Sequence, residues 1–376
     1  MIRQAASRLW AFARGEVVLS VAVILAVISA FFVPPNLGYL SYIDWDTLAL
    51  LFSLMAVMKG FQQEGLFEYV ASALLQRTAT TRSMMAVLVF LPFFCSMVIT
   101  NDVSLITFVP FAIAVLRLAR QETLVVPLIA MQTLAANLGS MLTPMGNPQN
   151  LYLYNQSGLG FGPFCGLLLP YVLASALLLA VSILLLKPVP IAAVSLSAGL
   201  GKPRDLLCYG AGFALCLLGV FKVLPAPVIA LIAALFLLFY DRQVLASIDY
   251  SLLGTFVAFF LFVGNISQLP AVQNFLASIL EGRVELVAIL TSQVISNVPA
   301  ALLLSGFTSH WQGLIVGCNL GGLGTLIASM ASLISYKLVA KEYPQLRGRY
   351  FGWFTLGNVV FLALLFGLFL ALGGAA

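Results

Sequence analysis

Long stretches without a charged residue recur through the whole chain, and they constrain the fold more than any other feature. Residues 163–186 contain no Asp, Glu, Lys or Arg, and 8% of the 376 residues are charged while 62% are hydrophobic. A soluble domain has about 25% charged residues. Uninterrupted apolar runs are typical of membrane-spanning helices, whereas a membrane β-barrel alternates apolar and polar residues. The sequence therefore predicts an all-α polytopic membrane protein in a lipid bilayer, and it excludes a soluble enzyme and a disordered chain.

Nine apolar runs are predicted to cross the membrane. They cover about 17–33, 47–63, 123–155, 163–186, 205–221, 226–240, 250–266, 311–340 and 349–373. Two further stretches, 83–119 and 284–309, are interrupted halfway by polar residues. Backbone that leaves the helical conformation at mid-membrane is tolerated only within protein or beside water. Each interrupted stretch is therefore predicted to be a re-entrant hairpin, although two complete crossings would leave the same charges on each side.

The basic residues are distributed very unequally across this predicted topology. One side receives Lys222 and Arg283, and the other receives sixteen: Arg3, Arg8, Arg14, Lys59, Arg77, Arg82, Arg117, Arg120, Lys187, Lys202, Arg204, Arg242, Lys337, Lys341, Arg347 and Arg349. The positive-inside rule makes the basic side cytoplasmic. We therefore expect a multi-pass cell (inner) membrane protein whose N-terminus is cytoplasmic and whose C-terminus is outside. The excess of basic residues therefore reflects membrane topology, and we expect no nucleic-acid partner.

Other residue types supply no catalytic arrangement. The five cysteines lie singly within apolar stretches and are predicted to be core residues. The glycine-rich run 317–324 lacks the strand, Lys and acid of a nucleotide-binding loop. An intramembrane hydrolase would need a nucleophile with its base, or metal ligands, and His310 on an outer loop with one midplane acid provides neither. We expect no enzyme activity and no cofactor.

The two halves of the chain resemble each other. Residues 43–48 match 248–253, and Asn137-Leu138-Gly139-Ser140 matches Asn319-Leu320-Gly321-Gly322. Because the second half has one extra crossing, at about 226–240, the two repeats have opposite orientations. The predicted organisation is a first inverted repeat (1–186), a cytoplasmic linker (187–204) and a second inverted repeat (205–376), each with a re-entrant hairpin and a discontinuous helix. Inverted repeats of this kind build alternating-access transporters with a site near the midplane.

Two polar clusters at equivalent positions of the repeats supply the candidate binding residues. Pro144 and Pro148 prevent the first cluster from continuing as a helix, so free carbonyls for a cation and a helix N-terminus for an anion are predicted. The first-half candidates are Thr100, Asn101, Asp102, Asn137, Gly139, Ser140, Thr143, Pro144, Gly146 and Asn147. The second-half candidates are Ser296, Asn297, Asn319, Gly321, Gly322 and Thr325.

Asp102 is the one acidic residue predicted near the membrane centre. A charge there costs about 2.5–3.5 kcal/mol on insertion scales. We therefore expect Asp102 to hold a cation or a proton, with helix capping as the alternative role.

Four segments resemble motifs of the ion transporter superfamily, which includes divalent-anion/sodium symporters, citrate transporters and arsenite efflux pumps. They are Thr100-Asn101-Asp102, Asn137-Leu138-Gly139, Thr143-Pro144-Met145-Gly146-Asn147-Pro148-Gln149-Asn150 and Ser296-Asn297-Val298-Pro299-Ala300. The resemblance covers nearly the whole chain. It implies a homodimer with elevator-type movement, a small anionic substrate, and sodium at two places: Asn101, Asp102 and Gly139, and again Asn297 and Gly321.

The chain departs from the divalent-anion pattern at several points. Asp102 stands where Thr is expected, Val298-Pro299 replaces the second Thr, and one N-terminal helix is absent. These features look closer to arsenite pumps and sodium/proton antiporters. The sequence predicts a secondary active transporter of a small anion (dicarboxylate, citrate or inorganic oxyanion) driven by sodium or protons. Arsenite efflux or cation/proton antiport is the alternative within this class, and a passive anion channel is the alternative from another class.

The charge partition gives a direct test of orientation. A cysteine introduced at Lys187 or Arg204 should react with an impermeant thiol reagent only from the cytoplasmic side, and one at Pro35 or His310 only from outside. Labelling of sealed and inverted vesicles measures this. Reaction of both sets from the same side would contradict the inverted arrangement.

Overall fold

The computed structural model describes residues 16–191 and 199–374. Within them the chain forms nineteen α-helices, three single-turn 3-10 helices and no β-strand, which confirms the all-α class. Arg3, Arg8 and Arg14, which the charge argument places in the cytoplasm, lie outside the described residues, as does the middle of the predicted linker.

The helices of the first half follow one another with short connections. They are α1 (Val17–Ala30), α2 (Tyr39–Tyr42), α3 (Trp45–Gln63), α4 (Leu66–Leu75), α5 (Thr81–Cys95), α6 (Asn101–Leu118), α7 (Val125–Gly139), α8 (Pro148–Ser157) and α9 (Phe161–Leu184). The run predicted as one crossing over 123–155 is thus two helices with a non-helical break between them.

The second half repeats the same order of helices. It contains α10 (Pro203–Val220), α11 (Ala226–Tyr240), α12 (Arg242–Ala246), α13 (Tyr250–Ile266), α14 (Pro270–Leu280), α15 (Val284–Ile295), α16 (Asn297–Ser305), α17 (Trp311–Leu320), α18 (Met330–Glu342) and α19 (Arg347–Ala371). Helices α13–α19 correspond in order to α3–α9, and the run predicted over 311–340 is likewise broken.

Four helices of the described residues are each long and apolar enough to cross a membrane. They are Asn101–Leu118, Phe161–Leu184, Pro203–Val220 and the segment Pro344–Ala371 that contains α19. A fifth span results if α13 and α14, which meet at a bend of 103°, are taken together. The remaining apolar helices have 10–17 residues, a length that fits half-spans and hairpin arms. The chain is a multi-pass membrane protein.

Matching caps begin the equivalent helices α3 and α13. The Asp44 carboxylate accepts a hydrogen bond from the Thr47 amide (2.9 Å), and the Asp249 carboxylate accepts one from the Leu252 amide (3.0 Å). These are the aspartates of the matching segments 43–48 and 248–253. An acid at this position satisfies free amides of the first turn. The sequence match therefore corresponds to the same local structure in both halves.

Helices of each half pack against helices of the other half. Helix α1 packs on α13, whereas α10 and α11 pack on α3. Deeper in the molecule, α18 contacts α6, and α8 contacts both α16 and α17. Equivalent helices of the two halves therefore each pack against the opposite half. These contacts bring both hairpins and both broken helices into one core. The division at 187–204 and the inversion across the bilayer stay predictions.

Candidate functional site

The tip of the first hairpin lies between α5 and α6. Thr100 caps α6 by accepting a hydrogen bond from the Val103 amide at 3.5 Å, so the capping role that was the alternative for Asp102 belongs to Thr100. Asn101 is buried in the first turn of α6. Asp102 is half-buried beside it, and its Oδ1 atom is buried without a hydrogen-bond partner among the described residues. A cation or a proton would supply the missing partner.

Asn137, in the last turn of α7, joins the hairpin tip to the other half of the chain. Its side-chain oxygen accepts hydrogen bonds from Asn101 Nδ2 (2.9 Å) and Ser329 Oγ (3.1 Å). Its Nδ2 atom donates to Ser332 Oγ on α18 (3.2 Å). One amide therefore fixes the positions of three segments: the first hairpin, the first broken helix and the start of α18.

The first helix break, residues 140–147, leaves several carbonyls of α7 without helical partners. Asn150 Nδ2 lies 3.3, 3.2 and 3.4 Å from the carbonyl oxygens of Ser140, Met141 and Thr143. The Ser140 hydroxyl donates to the Asn137 carbonyl (2.9 Å) and accepts from Asn147 Nδ2 (2.7 Å). Side-chain amides thus satisfy groups that the broken helix exposes.

The backbone of the first break packs directly against the backbone of the first hairpin. A Cβ atom on Gly139 would lie 1.9 Å from the Phe93 carbonyl oxygen, and one on Gly146 would lie 2.2 Å from the Ser140 carbonyl oxygen. Thr143 donates a hydrogen bond to the Met97 carbonyl. Pro144 begins the 3-10 turn Pro144–Gly146. Gly139 and Gly146 therefore permit a close approach that no larger residue allows.

The tip of the second hairpin lies between α15 and α16. Ser296 has a φ of +74°, a conformation that residues with a side chain rarely adopt. The Asn297 amide donates to the Ala328 carbonyl (3.0 Å), beside the second broken helix. A Cβ atom on Gly322 would lie 2.9 Å from Asn297 Nδ2. The second tip therefore contacts the second break, as the first tip contacts the first.

Gln293, which is not among the candidate residues predicted from the sequence, fills the second break. Its Nε2 atom donates to the carbonyls of Gly321 (3.0 Å) and Leu323 (2.9 Å), and its Oε1 atom accepts from the Thr325 amide (2.9 Å). Gly324, with a φ of +111°, could carry no side chain, because a Cβ atom would lie 2.2 Å from Gln293 Oε1. The candidate residues Gly321 and Thr325 thus both bind Gln293, and Thr325 is exposed.

Asn137 and Asn319, which the repeat aligns, make equivalent bonds across the two halves. Asn137 donates to Ser332 at the start of α18, and Asn319 Nδ2 donates to Asn150 Oδ1 at the start of α8 (2.7 Å). Each asparagine lies at the end of the first segment of its own broken helix. It donates to the start of the second segment of the broken helix in the other half.

A single buried hydrogen-bonded network connects most of these groups, and we call it the central polar cluster. It consists of Asn101, Asn137, Ser140, Asn147, Asn150, Asn319, Ser329 and Ser332. All eight residues are buried, and none is basic. The ion pairs in the described part of the chain, Arg117–Glu342 and Glu285–His310, do not include Asp102.

Gln149, next to Asn150, belongs to the motif of residues 143–150 but is not among the candidate binding residues. It is 1% exposed, and neither atom of its amide has a hydrogen-bond partner in the described structure. A buried amide without partners is costly, so a group from outside the chain is the natural partner. Its place in that motif, in the first turn of α8 directly after Pro148, is the sequence signal that identifies it.

Asn137→Ala should lower the thermal stability of the purified protein. The substitution removes the bonds to Asn101, Ser329 and Ser332, and each buried polar group left without a partner costs roughly 1–3 kcal/mol. Unfolding followed by tryptophan fluorescence in detergent measures the change. Asn274→Ala, on the exposed face of α14, is the matched control. Equal melting temperatures of the two variants would show that the cluster does not depend on Asn137.

Comparison with known proteins places the chain among transporters. A family model described as citrate transporter matches residues 5–309. The inner membrane protein YbiR of Escherichia coli is 34% identical over 341 residues, which are 86% of this chain and 88% of that protein. The uncharacterized transporter MJ0456 of Methanocaldococcus jannaschii is 33% identical over 300 residues, covering 79% and 81%. The silicon efflux transporter LSI3 of Oryza sativa is 33% identical over 133 residues, covering 35% and 27%.

Proposed function

Because the chain belongs to the citrate transporter family, we propose that it is a secondary active transporter of a small anion, coupled to a sodium or proton gradient. The substrate class is a dicarboxylate, citrate or an inorganic oxyanion. The observation that carries the proposal is the meeting of four helix N-termini at one buried place. The first residues of α6 and α16 and the segments that precede α8 and α18 all belong to the central polar cluster or adjoin it.

Helix N-termini explain how an anion could be held without a basic side chain. Each carries a partial positive charge and free backbone amides, and both favour oxyanions. The residues that follow the end of α7 offer backbone carbonyl oxygens beside the central polar cluster, and such carbonyls coordinate cations in transporters with broken helices. Anion and cation would therefore bind near each other, and each would stabilise the other.

Asp102 is the proposed coupling residue. Its unpartnered oxygen lies next to Asn101, which is bonded to the end of α7. Moving one uncompensated charge through 100 mV is worth about 2.3 kcal/mol, enough to concentrate a substrate roughly 50-fold. Either a proton on Asp102 or a sodium ion held by it with nearby carbonyls would use this energy.

The second half offers no equivalent charge. The residue that corresponds to Asp102 is Val298, and the carbonyls of Gly321 and Leu323 already accept hydrogen bonds from Gln293. The side-chain NH2 group of Gln293 donates hydrogen bonds to these carbonyls and takes the place at which a cation would otherwise bind. We therefore propose one coupling-ion site, in the first half, in place of the two that the family resemblance implies.

The movement that exposes the site in turn to each side would carry the hairpins and broken helices together, because the central polar cluster joins them. An elevator-type movement of this unit in a homodimer is part of the proposal, as is location in the cell (inner) membrane. The name of the Escherichia coli relative supports that location.

Arsenite efflux, or efflux of another small oxyacid, is the second candidate. The central polar cluster contains amides and hydroxyls but no basic side chain, and such groups suit an uncharged molecule that bears hydroxyl groups. A partial relative is named a silicon efflux transporter. Thermal-shift screening with carboxylates, sulfate, phosphate and arsenite, with and without sodium, distinguishes the candidates. Concentrative uptake into proteoliposomes would exclude a passive channel.

Asp102→Asn should abolish gradient-driven accumulation, because it keeps the size of the side chain but removes the group that holds a proton or a cation. Thermal stabilisation by the substrate identified in the screen should survive. Proteoliposome uptake under sodium and proton gradients, imposed separately, measures the loss. Glu281→Gln, at the exposed end of α14, is the control and should transport normally. Accumulation by Asp102→Asn equal to that of the parent under both gradients would remove Asp102 from the coupling site.

Gln293→Glu should make the thermal stability of the protein depend on sodium. A carboxylate beside the carbonyls of Gly321 and Leu323 would need a cation, so sodium chloride should raise the melting temperature by several degrees relative to choline chloride. The test is made in the Asp102→Asn background, so that the first site does not contribute. Gln273→Glu, on exposed α14, is the control. If sodium affects both variants equally, Gln293 does not take the place of a cation.

A further inference from the structure

An apolar cavity of about 270 Å³ lies between α3, α10 and α11, away from the central polar cluster. Its walls include Ala56, Gly212, Leu215, Ile229, Ala233 and Phe236. A second apolar groove, of about 530 Å³, lies on the adjoining face of α11, shares Ile232 and Phe236 with the cavity, and ends at Tyr240. The two depressions adjoin each other along α11 at these shared residues, and together we call them the α11 groove.

The α11 groove opens on the surface that faces lipid. Ile232 is 46% exposed, Leu235 is 47% exposed and Phe239 is 80% exposed. In a bilayer these side chains contact acyl chains, because they belong to an apolar helix with no charged residue between Ala226 and Tyr240. A cavity with such walls is filled by hydrocarbon rather than by water.

Two arginines stand at the Tyr240 end of the groove. The Arg204 guanidinium carbon lies 5.8 Å from the centre of the Tyr240 ring, and Arg242 Nε donates to the Leu238 carbonyl (2.8 Å). Neither arginine belongs to an ion pair of the described residues. Most of the donor groups of these guanidinium side chains therefore remain available to an anion.

The neighbouring carboxylates have other partners. Asp205 accepts a hydrogen bond from the Tyr240 hydroxyl. Asp241 accepts one from the Tyr209 hydroxyl (2.9 Å) and others from the amides of Gln243 and Val244. These bonds direct the two acids toward protein groups, while Arg204 and Arg242 lie beside the open end of the groove.

We propose that the α11 groove binds an anionic glycerophospholipid, with one acyl chain in the groove and the phosphate at Arg204 and Arg242. Both arginines lie on the side that the charge partition assigns to the cytoplasm. Basic pockets between membrane helices on that side bind anionic headgroups. One guanidinium group can bind two phosphate oxygens at once. The proposal does not depend on the transported substrate.

Native mass spectrometry of the purified protein tests it, with phosphatidylglycerol and phosphatidylcholine added to the detergent in turn. The parent should retain phosphatidylglycerol preferentially. Arg204→Ala should weaken its retention about five-fold, the factor expected for one basic side chain near an anionic headgroup. Arg77→Ala, an exposed arginine away from the groove, is the control and should bind like the parent.

A second variant tests the apolar part of the site. Ala233→Leu fills the groove and should reduce the retention of both lipids while leaving the melting temperature close to that of the parent. Equal retention of the two lipids by the parent, or an identical effect of Arg204→Ala and Arg77→Ala, would overturn the proposal. A change of oligomeric state in Ala233→Leu, with lipid retention unaltered, would assign the groove to a second copy of the chain and would also overturn it.

Discussion

The need to satisfy backbone groups at the points where helices stop inside the membrane shapes the whole molecule. One helix breaks in each half, beside a hairpin tip, and each break exposes carbonyl oxygens at one end and amides at the other. Lipid cannot satisfy these groups. Side-chain amides do so instead: Asn150 at the first break and Gln293 at the second. The concentration of asparagine and glutamine in the core of such an apolar chain follows from this requirement.

The same requirement joins structure to the proposed function. A break whose polar groups the chain satisfied completely would have no reason to bind a ligand. Gln293 satisfies two carbonyls and an amide of the second break, where Asn319 Oδ1 is buried without a partner among the described residues. The first break adjoins more such atoms, Asp102 Oδ1 and both atoms of the Gln149 amide, and one of them belongs to a carboxylate. Two halves with the same order of helices therefore differ in chemistry, and the difference favours coupling in the first.

Much of the architecture could be predicted from the sequence. Apolar runs indicate the membrane class, and Pro144, Pro148 and the glycines beside them mark where the first broken helix ends and restarts, because these residues oppose helix continuation locally. Long-range pairing could not be predicted in this way. The roles of Asn137 and Asn319 as links between halves depend on Ser332 and Asn150, which lie far away in the chain. Gln293 follows two other polar residues, Thr291 and Ser292, on α15, and only packing shows that it is the one that reaches Gly321.

The links between Asn137 and Ser332 and between Asn319 and Asn150 have a consequence for biosynthesis. The ribosome completes the first half before Asn319, Ser329 and Ser332 have been made. Until then the Asn137 side chain has only Asn101 as a partner and Asn150 Oδ1 lacks the bond from Asn319, so these two polar groups have to stay hydrated or be shielded by the insertion machinery. The first half cannot reach its final form as it is inserted, so the last quarter of the chain determines when the core closes.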